Sequence, residues 1–204
     1  MLNLINHPLA RHVVTRLRDK TTKPSEFRSL CHHLSVLLAL EATRDLTMRE
    51  VAVNTPLEAC IGHELAKPLV VVPILRAGLG MVEPIVSLFP DVSIGYIGLE
   101  RDHATALARS YYCKLPPLQG SRVLLVDPML ATGGSAVQAI DVIKQKGGRE
   151  ICMLNVVAAP EGVKAVEEAH PDVTIYTGAL DRGLDDKKYI LPGLGDFGDR
   201  LYGT

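Results

Sequence analysis

The sequence predicts an α/β fold in which a parallel β-sheet is covered by helices on both faces. One observation is that short runs such as LVVVPIL (69–75) and RVLLV (122–126) are apolar without alternation, as in strands buried on both faces. A second is that segments of helical length alternate with these runs. A third is that unusual polar residues, Arg76, Asp127 and Asp181, each follow such a run. Because ligands bind beyond the carboxyl ends of parallel strands, these residues predict a binding site on one edge of the sheet.

The predicted elements follow one another in a regular order. From Ser25 to about Leu46, apolar residues recur at helical spacing after Pro24 and with Glu26 in the first turn, which predicts a helix. The next stretch, VAVNTPLEA, alternates more like a strand. The later elements are the strand LVVVPIL, the helix LGMVEPIVSLF, the strands VSIGYIGL and RVLLVD, the helix GSAVQAIDVIKQKG, the strand ICMLNVVAAP, the helix GVKAVEEAH and the strand VTIYTGAL.

Two segments interrupt this order. Residues 99–117 are polar in the middle with strand-like ends, which predicts a β-hairpin arm projecting from the sheet. Residues 181–204 are rich in glycine and aspartate and are expected to form an ordered loop or cap. No linker or repeat divides the chain, so we predict one domain spanning 1–204.

Composition narrows the classes of function. The chain has 204 residues, a formal net charge of -1 and 4% aromatic residues, which argues against a broad nucleic-acid-binding face. The cysteines Cys31, Cys60, Cys113 and Cys152 have no paired spacing and apolar neighbours, so they are expected to be buried reduced thiols. The first residues lack the apolar stretch of a signal peptide, and no apolar run is long enough to span a bilayer. We therefore expect a cytoplasmic protein.

The most informative stretch is VDPMLATGGS, at the junction of a strand and a helix. Thr132, Gly133, Gly134 and Ser135 immediately precede the helix, so bare backbone N–H groups, two hydroxyls and the positive end of the helix dipole converge. These features predict a phosphate cradle, which is not the nucleoside-triphosphate P-loop because no lysine follows the glycines. The alternative is that the stretch is only a turn followed by a helix cap.

Asp127 adds a carboxylate beside this predicted anion site. A carboxylate repels phosphate unless it also binds sugar hydroxyls, a divalent metal or a developing cation. A phosphorylated sugar fits all three requirements.

Arg76 follows a buried strand, where an unpaired charge is costly. A guanidinium flanked by Ala77 and Gly78 suits a second anion such as diphosphate. The alternative is a structural salt bridge to a nearby acid.

Other patterns favour no further site. GLGDFG at 193–198 matches G-x-G-x-x-G, but a dinucleotide site needs this motif between a strand and a helix, early in a βαβ unit. Here it lies near the end of the sequence with no room for that helix, so it is poor evidence for a nicotinamide cofactor. The adjacent His32 and His33 point apart on a helix, and no metal-ligand cluster is present. His103, in the polar arm, is more typical of a solvated surface histidine than of a functional one.

Five stretches together resemble the uracil phosphoribosyltransferase family, nearly end to end and in order. They are PILRAGLGM (73–81), YYCKLP (111–116), DPMLATGGS (127–135), AAPEG (158–162) and YILPGLGDFGDRLYGT (189–204). The resemblance implies a type I phosphoribosyltransferase fold. It implies transfer of the 5-phosphoribosyl group from 5-phosphoribosyl 1-diphosphate (PRPP) to uracil, giving uridine monophosphate (UMP) and diphosphate. The implied cofactor is Mg2+, held mainly by the substrate rather than by protein side chains.

The resemblance also implies the roles of individual residues. Arg76, Arg101 and Asp127 stabilise the transition state and the leaving group. The implied PRPP site is Arg76, Arg101, Asp127, Pro128, Met129, Leu130, Ala131, Thr132, Gly133, Gly134, Ser135 and Asp196. The implied uracil site is Ile190, Gly195, Asp196 and Phe197. The chain departs from the usual family pattern at Phe197, where a small residue is common, and at His103, where an acid is common.

Family members form dimers or tetramers and some are activated by GTP, but no residue of this sequence decides either property. The strongest rival function is a regulator that binds PRPP and controls RNA, and the low charge and few aromatic residues disfavour it. A dehydrogenase is supported only by the GLGDFG match.

Overall fold

The computed structural model describes the backbone of residues 1–101 and 108–204, and the side chains of residues 1–99 and 111–204. The strands, numbered along the chain, are β1 (Leu2–Leu4), β2 (Met48–Asn54), β3 (Ala59–Leu65), β4 (Leu69–Leu75), β5 (Ser93–Ile94), β6 (Tyr96–Arg101), β7 (Ala108–Lys114), β8 (Arg122–Val126), β9 (Met129–Leu130), β10 (Glu150–Ala158), β11 (Thr174–Leu180), β12 (Gly183–Leu184) and β13 (Ile190–Leu191). The helices are α1 (Pro8–Arg18), α2 (Pro24–Ala42), α3 (Val82–Leu88), α4 (Gly134–Gln145), α5 (Pro160–Ala169) and α6 (Phe197–Tyr202), with a 3-10 helix at Ala77–Met81.

The predicted parallel sheet is confirmed. In the described part of the chain it has nine strands, with the order β1-β11-β10-β8-β4-β6-β7, while β5 pairs with β4 and β9 with β10. All of these neighbours are parallel except β6 and β7, which are antiparallel. Such an arrangement requires crossover connections, and the helices provide them.

Helices cover both faces of the sheet, which explains why its strands are continuously apolar. Val71 and Leu124 pack into a core cluster with residues of α1, α2, α3 and α6. Their chain neighbours Val70 and Val123 point to the opposite face and pack with residues of α4 and α5. Since successive side chains of a strand alternate between faces, a sheet with two covered faces needs apolar residues at every position.

The four predicted helices are present as α2, α3, α4 and α5, whereas α1 and α6 were not predicted. α2 starts with Pro24 in its first turn and buries Phe27, Leu34 and Leu38 completely. It ends at Ala42, earlier than the predicted Leu46, because the next residue leaves the helical conformation. α4 ends just before Gly147, whose φ of 92° closes the helix.

The predicted single strand VAVNTPLEA is wrong, because its centre is a turn. β2 and β3 pair as an antiparallel hairpin in which Asn54 lies opposite Ala59. The turn is closed by a hydrogen bond from the Thr55 backbone N–H to the Glu58 carbonyl at 3.1 Å. Pro56 lies within this turn, where its missing N–H costs nothing.

The prediction that all four cysteines are buried is confirmed for two of them and wrong for the other two. Cys31 and Cys152 are buried, and burial raises the pKa of the Cys31 thiol to about 12. Cys60 and Cys113 are exposed, because they lie on the β2–β3 hairpin and on β7 at the end of the sheet. Apolar neighbours in sequence do not bury a residue when the strand has no covering layer.

Paired strands confirm the predicted hairpin at 99–117 as far as the chain is described. β6 pairs with β4 only up to Gly98, and the β6–β7 ladder continues past that point to Arg101 opposite Ala108. The hairpin therefore extends beyond the end of β4. His103 lies outside the described residues. Among the described helices, none combines the length and the apolar character needed to cross a lipid bilayer.

Candidate active site

The three unusual polar residues lie on the same edge of the sheet, as predicted. β4 and β8 are parallel neighbours with Pro73 opposite Val126, so Arg76 and Asp127 leave these strands at the same edge. β11 lies two strands from β8 in the same sheet and ends immediately before Asp181. The sequence rule for parallel sheets therefore places these residues on one edge.

The cradle, residues 127–135, surrounds a small cavity. The cavity has a volume of about 80 Å³ and is lined by Asp127, Met129, Leu130, Ala131, Thr132, Gly133, Ser135 and Ala136. Within the part of the chain that the structure describes, the backbone N–H groups of residues 131–133 have no hydrogen-bond partner. They lie directly before α4, a helix of 12 residues whose dipole favours an anion at this end.

Gly133 shapes the cradle through its backbone. Its φ of 84° is a left-handed conformation that side chains disfavour, and an added Cβ would lie 2.8 Å from the Cβ of Ala165. The same Cβ would approach the carbonyl of Gly162 to 2.9 Å, so α5 packs directly behind the turn. Gly133 is also the N-cap residue of α4 and has no side chain with which to cap it. The helix-cap alternative thus lacks the hydrogen bond on which it depends.

Asp127 is half-buried and poorly paired. Its carboxylate accepts one long hydrogen bond, from the Met129 backbone N–H at 3.4 Å. Burial raises the pKa of Asp127 to about 7, and this hydrogen bond lowers it only in part. Neutral and ionised forms therefore both exist near neutral pH.

The backbone of Asp127 is held by a residue that the sequence analysis missed. Asn155 is fully buried in β10, and its Nδ2 donates to the Asp127 carbonyl at 2.5 Å. The Asp127 N–H donates to the carbonyl of Leu154 at 3.2 Å. The available signal was a single amide side chain within the otherwise apolar run ICMLNVVA.

Arg76 lies one strand away from the cradle and is exposed. It forms no ion pair with any side chain that the structure describes, so the salt-bridge alternative has no support there. The following 3-10 helix rests on β8, since a Cβ at Gly78 would lie 2.5 Å from the carbonyl of Val126. The peptide bond between Leu75 and Arg76 is cis.

Arg101 is the last residue of β6, and only its backbone is described. The predicted role of its side chain stays a prediction.

The C-terminal turn, residues 190–198, does not end in a loop. α6 begins at Phe197, and Asp196 caps it by accepting a hydrogen bond from the Asp199 N–H at 2.9 Å. The motif thus leads into a helix of only six residues. The motif follows β13, which pairs antiparallel with β12, so it is not part of a dinucleotide-binding βαβ unit.

Of the four residues predicted to bind uracil, two are buried and two are exposed to solvent. Ile190 and Phe197 are buried, and the Phe197 ring packs edge-on against Phe27 with centroids 5.2 Å apart. Gly195 and Asp196 are exposed. The turn therefore presents mainly backbone and one carboxylate to solvent, while its larger side chains anchor it in the core.

The C-terminal turn and the Arg76 segment are in contact through α6. The hydroxyl of Tyr202 donates to the Arg76 carbonyl at 3.5 Å. A Cβ at Gly80 would lie 2.7 Å from a methyl group of Leu201. The segments that follow β4 and β13 are therefore packed together on the same edge as the cradle.

The described residues do not form a metal site on their own. No group of three or more His, Cys, Asp or Glu side chains converges among them. Asp127 is the one carboxylate that lines the cavity. A Mg2+ ion there would need most of its oxygen ligands from a substrate.

Comparison with known proteins identifies relatives along the whole chain. The family model for uracil phosphoribosyltransferase matches residues 4–204. The uracil phosphoribosyltransferase of Symbiobacterium thermophilum is 55% identical over 203 residues, covering 98% of this chain and 97% of its own length. That of Fervidobacterium nodosum is 51% identical over 206 residues, covering 100% of both chains.

Solved structures agree on the fold. A protein from Aquifex aeolicus superposes with a TM-score of 0.95 at 38% identity, covering 100% of this chain and 99% of its own. A hypoxanthine-guanine phosphoribosyltransferase from Bacillus anthracis superposes with a TM-score of 0.55 at 15% identity, covering 78% of this chain and 80% of its own. The second similarity concerns the fold alone.

Proposed function

The chain belongs to the uracil phosphoribosyltransferase family, and from this premise we propose how its residues carry out the reaction. The enzyme transfers the 5-phosphoribosyl group of PRPP to uracil, forming UMP and diphosphate. The observation that carries the residue assignments is the cavity of the cradle, which opens on the same edge of the sheet as Arg76.

In this proposal the cradle holds the 5-phosphate of PRPP. The unpaired N–H groups of residues 131–133 and the hydroxyls of Thr132 and Ser135 donate to the phosphate oxygens, and α4 adds its dipole. Fixing the phosphate fixes the ribose, so uracil can attack the anomeric carbon in line with the departing diphosphate. Asp127, which lines the same cavity, is proposed to accept a hydrogen bond from a ribose hydroxyl or to stabilise the developing positive charge.

Arg76 and Arg101 are proposed to stabilise the diphosphate. Breaking the anomeric C–O bond leaves negative charge on the leaving group, and a guanidinium pairs well with phosphate oxygens. The exposed Arg76 side chain, free of ion pairs with other described side chains, is available for this role. The family generally uses Mg2+ with PRPP, and the bound ion would neutralise part of the diphosphate charge.

The C-terminal turn is proposed to select uracil. Uracil presents two carbonyls and N–H groups, which the exposed backbone at Gly195 and Asp196 can pair with directly. Because Ile190 and Phe197 are buried, their side chains support the turn and their backbone groups would contact the base. A site built from fixed donors and acceptors rejects bases of the wrong pattern, such as cytosine.

The direct test is to incubate the protein with labelled uracil, PRPP and Mg2+, with cytosine, hypoxanthine and orotate as controls. Arg76→Ala should lower kcat/KM by at least about a hundredfold, the scale of removing one charge-stabilising donor. Arg149→Ala is the matched control, because Arg149 is exposed just before β10, at the opposite edge of the sheet. An unchanged rate for Arg76→Ala would contradict the assignment of Arg76.

We also propose a homo-oligomer. The β2–β3 hairpin is exposed along almost its whole length, and it shows Leu57 at 95% and Ile61 at 62% exposure. A two-stranded hairpin is marginally stable alone, so a second copy of the chain would cover it. Light scattering of Leu57→Ser and Ile61→Ser tests this, because loss of the apolar surface should favour the monomer.

Two further proposals each rest on one observation. GTP as an effector is supported by family membership alone, and assays with and without GTP decide it. A cytoplasmic location is supported by the absence of disulfides among the four cysteines.

A further inference from the structure

The C-terminal turn is attached to the opposite end of the chain by a buried ion pair. Asp181, the residue after β11, has a side chain that is 3% exposed. Its two carboxylate oxygens accept from the two terminal nitrogens of Arg18, the last residue of α1, with one N–O distance of 2.8 Å. Neither residue belongs to the implied PRPP or uracil site.

Arg18 and Asp181 together bind the backbone N–H and the backbone carbonyl of Gly193, a residue of the turn. The Gly193 N–H donates to Asp181 at 2.8 Å, and Arg18 donates to the Gly193 carbonyl at 2.8 Å. With its N–H and its carbonyl both held, Gly193 has no freedom to rotate. It lies two residues before Gly195, which is exposed on the proposed uracil side.

A second arginine holds the next residue. Arg200 of α6 donates to the Leu194 carbonyl at 2.8 Å and to the Asp19 carbonyl at 2.6 Å, and it also donates to the Leu17 carbonyl. Its guanidinium lies over the ring of Phe27, 4.5 Å from the centroid. Successive residues of the turn are therefore each tied to the C-terminal end of α1.

We propose that Arg18, Asp181 and Arg200 are positioning residues for uracil. They hold the backbone of residues 193–196 at the place where its donors and acceptors match the base. This inference rests on the proposed uracil site in the C-terminal turn.

The energetics favour a geometric role over a stabilising one. Removing the Asp181 carboxylate from water carries a free-energy penalty that offsets much of its attraction to Arg18, so such an ion pair adds little stability compared with packed apolar side chains. What the pair supplies is a fixed bidentate geometry, which an apolar contact lacks. A displacement of about 1 Å in a substrate-positioning group costs on the order of a hundredfold in rate.

Arg18→Lys tests the proposal, because lysine keeps the charge and loses the planar fork. We expect kcat/KM for uracil to fall by about a hundredfold, mainly through a higher KM for uracil. Affinity for PRPP should fall much less, because Asp196 is the one residue of the implied PRPP site in this turn, and discrimination against cytosine should weaken. Asp181→Asn, which keeps the shape of the side chain, should act in the same direction.

Arg122→Lys is the matched control. Arg122 makes a bidentate pair with Asp45 at 3.2 and 2.9 Å and is also poorly exposed, but it begins β8 at the opposite edge of the sheet. Its replacement should lower Tm without changing KM for uracil. If Arg18→Lys changes Tm alone, as the control does, or raises KM for uracil and KM for PRPP by the same factor, the pair is only structural and the proposal is wrong.

Amide hydrogen exchange separates this inference from the proposed function. In Arg18→Lys, exchange should accelerate at residues 193–198 and stay unchanged at 131–136. Unchanged exchange at 193–198 overturns the positioning role whether or not the protein forms UMP. Failure of the unmodified protein to form UMP overturns the function, and accelerated exchange in the variant would still support the attachment of the turn by Arg18.

Discussion

Two carboxylates on the same edge of the sheet, those of Asp181 and Asp127, differ in how many hydrogen-bond partners the protein gives them. Asp181 is paired with both terminal nitrogens of Arg18 and with the N–H of Gly193. Asp127 has one hydrogen bond of 3.4 Å, and its pKa is raised to about 7 by burial. A carboxylate with all its partners inside the protein holds the structure together. A carboxylate without them retains the capacity to bind something from outside.

The first test of this contrast is the variant Asp127→Asn, for which we expect the largest change in the free energy of unfolding. The change should depend on pH. The pKa of Asp127 is about 7 in the folded protein, against 3.8 as the ordinary value. Between these values the folded protein keeps a proton that the unfolded chain has lost. The free energy of unfolding should therefore decrease as pH rises through this window and level off above it.

Asparagine does not titrate, so Asp127→Asn should remove this decrease and make the ligand-free protein more stable than the original above the folded-state pKa. Urea unfolding at several pH values across the window measures the effect. Parallel pH profiles for the two proteins would show that Asp127 is not destabilised by burial.

The second test is Gly193→Ala, which disturbs the backbone that Asp181 binds. At Gly193 an added Cβ would lie 2.1 Å from the carbonyl of Ile190, and φ is 59°. Backbone strain and overpacking together should lower the free energy of unfolding by about 3 kcal/mol in Gly193→Ala. Gly134→Ala is the control for urea unfolding, because its Cβ would meet nothing closer than Thr132 Oγ1 at 3.9 Å. Equal midpoints for the two variants would refute the account of Gly193.

The third and smallest test concerns the cradle. Gly133→Ala should cost about 2 kcal/mol, because the left-handed φ is strained and the new Cβ meets Ala165. Ala165→Gly removes that contact but itself loses about 1 kcal/mol of helix propensity in α5, so the Ala165→Gly single variant is the reference. Gly133→Ala should cost less in that background than in the original protein. An equal cost in both backgrounds would mean that the contact with Ala165 contributes nothing.

The cradle could be predicted from sequence because its determinants are contiguous. A strand, a glycine pair and a helix follow one another within residues 122–145, and each has a local pattern. A distant support of the cradle, the side chain of Asn155, lies 28 residues from Asp127 and is marked in the sequence only by one amide within an apolar strand. The parallel sheet with two covered faces also followed from the alternation of strands and helices.

The attachment of the C-terminal turn could not be predicted in the same way. Arg18 and Gly193 are 175 residues apart, and Arg200 and Leu17 are 183 apart. An arginine at the end of an amphipathic helix is typical of any surface helix, so neither residue stands out alone. The β2–β3 hairpin was missed for a different reason, since exposed strands lack the burial pattern by which strands are recognised.

The long separation between Arg200 and α1 has a consequence for biosynthesis. Domains emerge from the ribosome beginning at their N-terminus. All residues of the cradle and its supports from β10 and α5 precede residue 170, so they are synthesised before Arg200. The turn proposed to select the base lacks one of its two anchors until Arg200 has emerged, 183 residues after Leu17. The backbone that selects the nucleobase therefore acquires its full set of contacts only when nearly the whole polypeptide has been made.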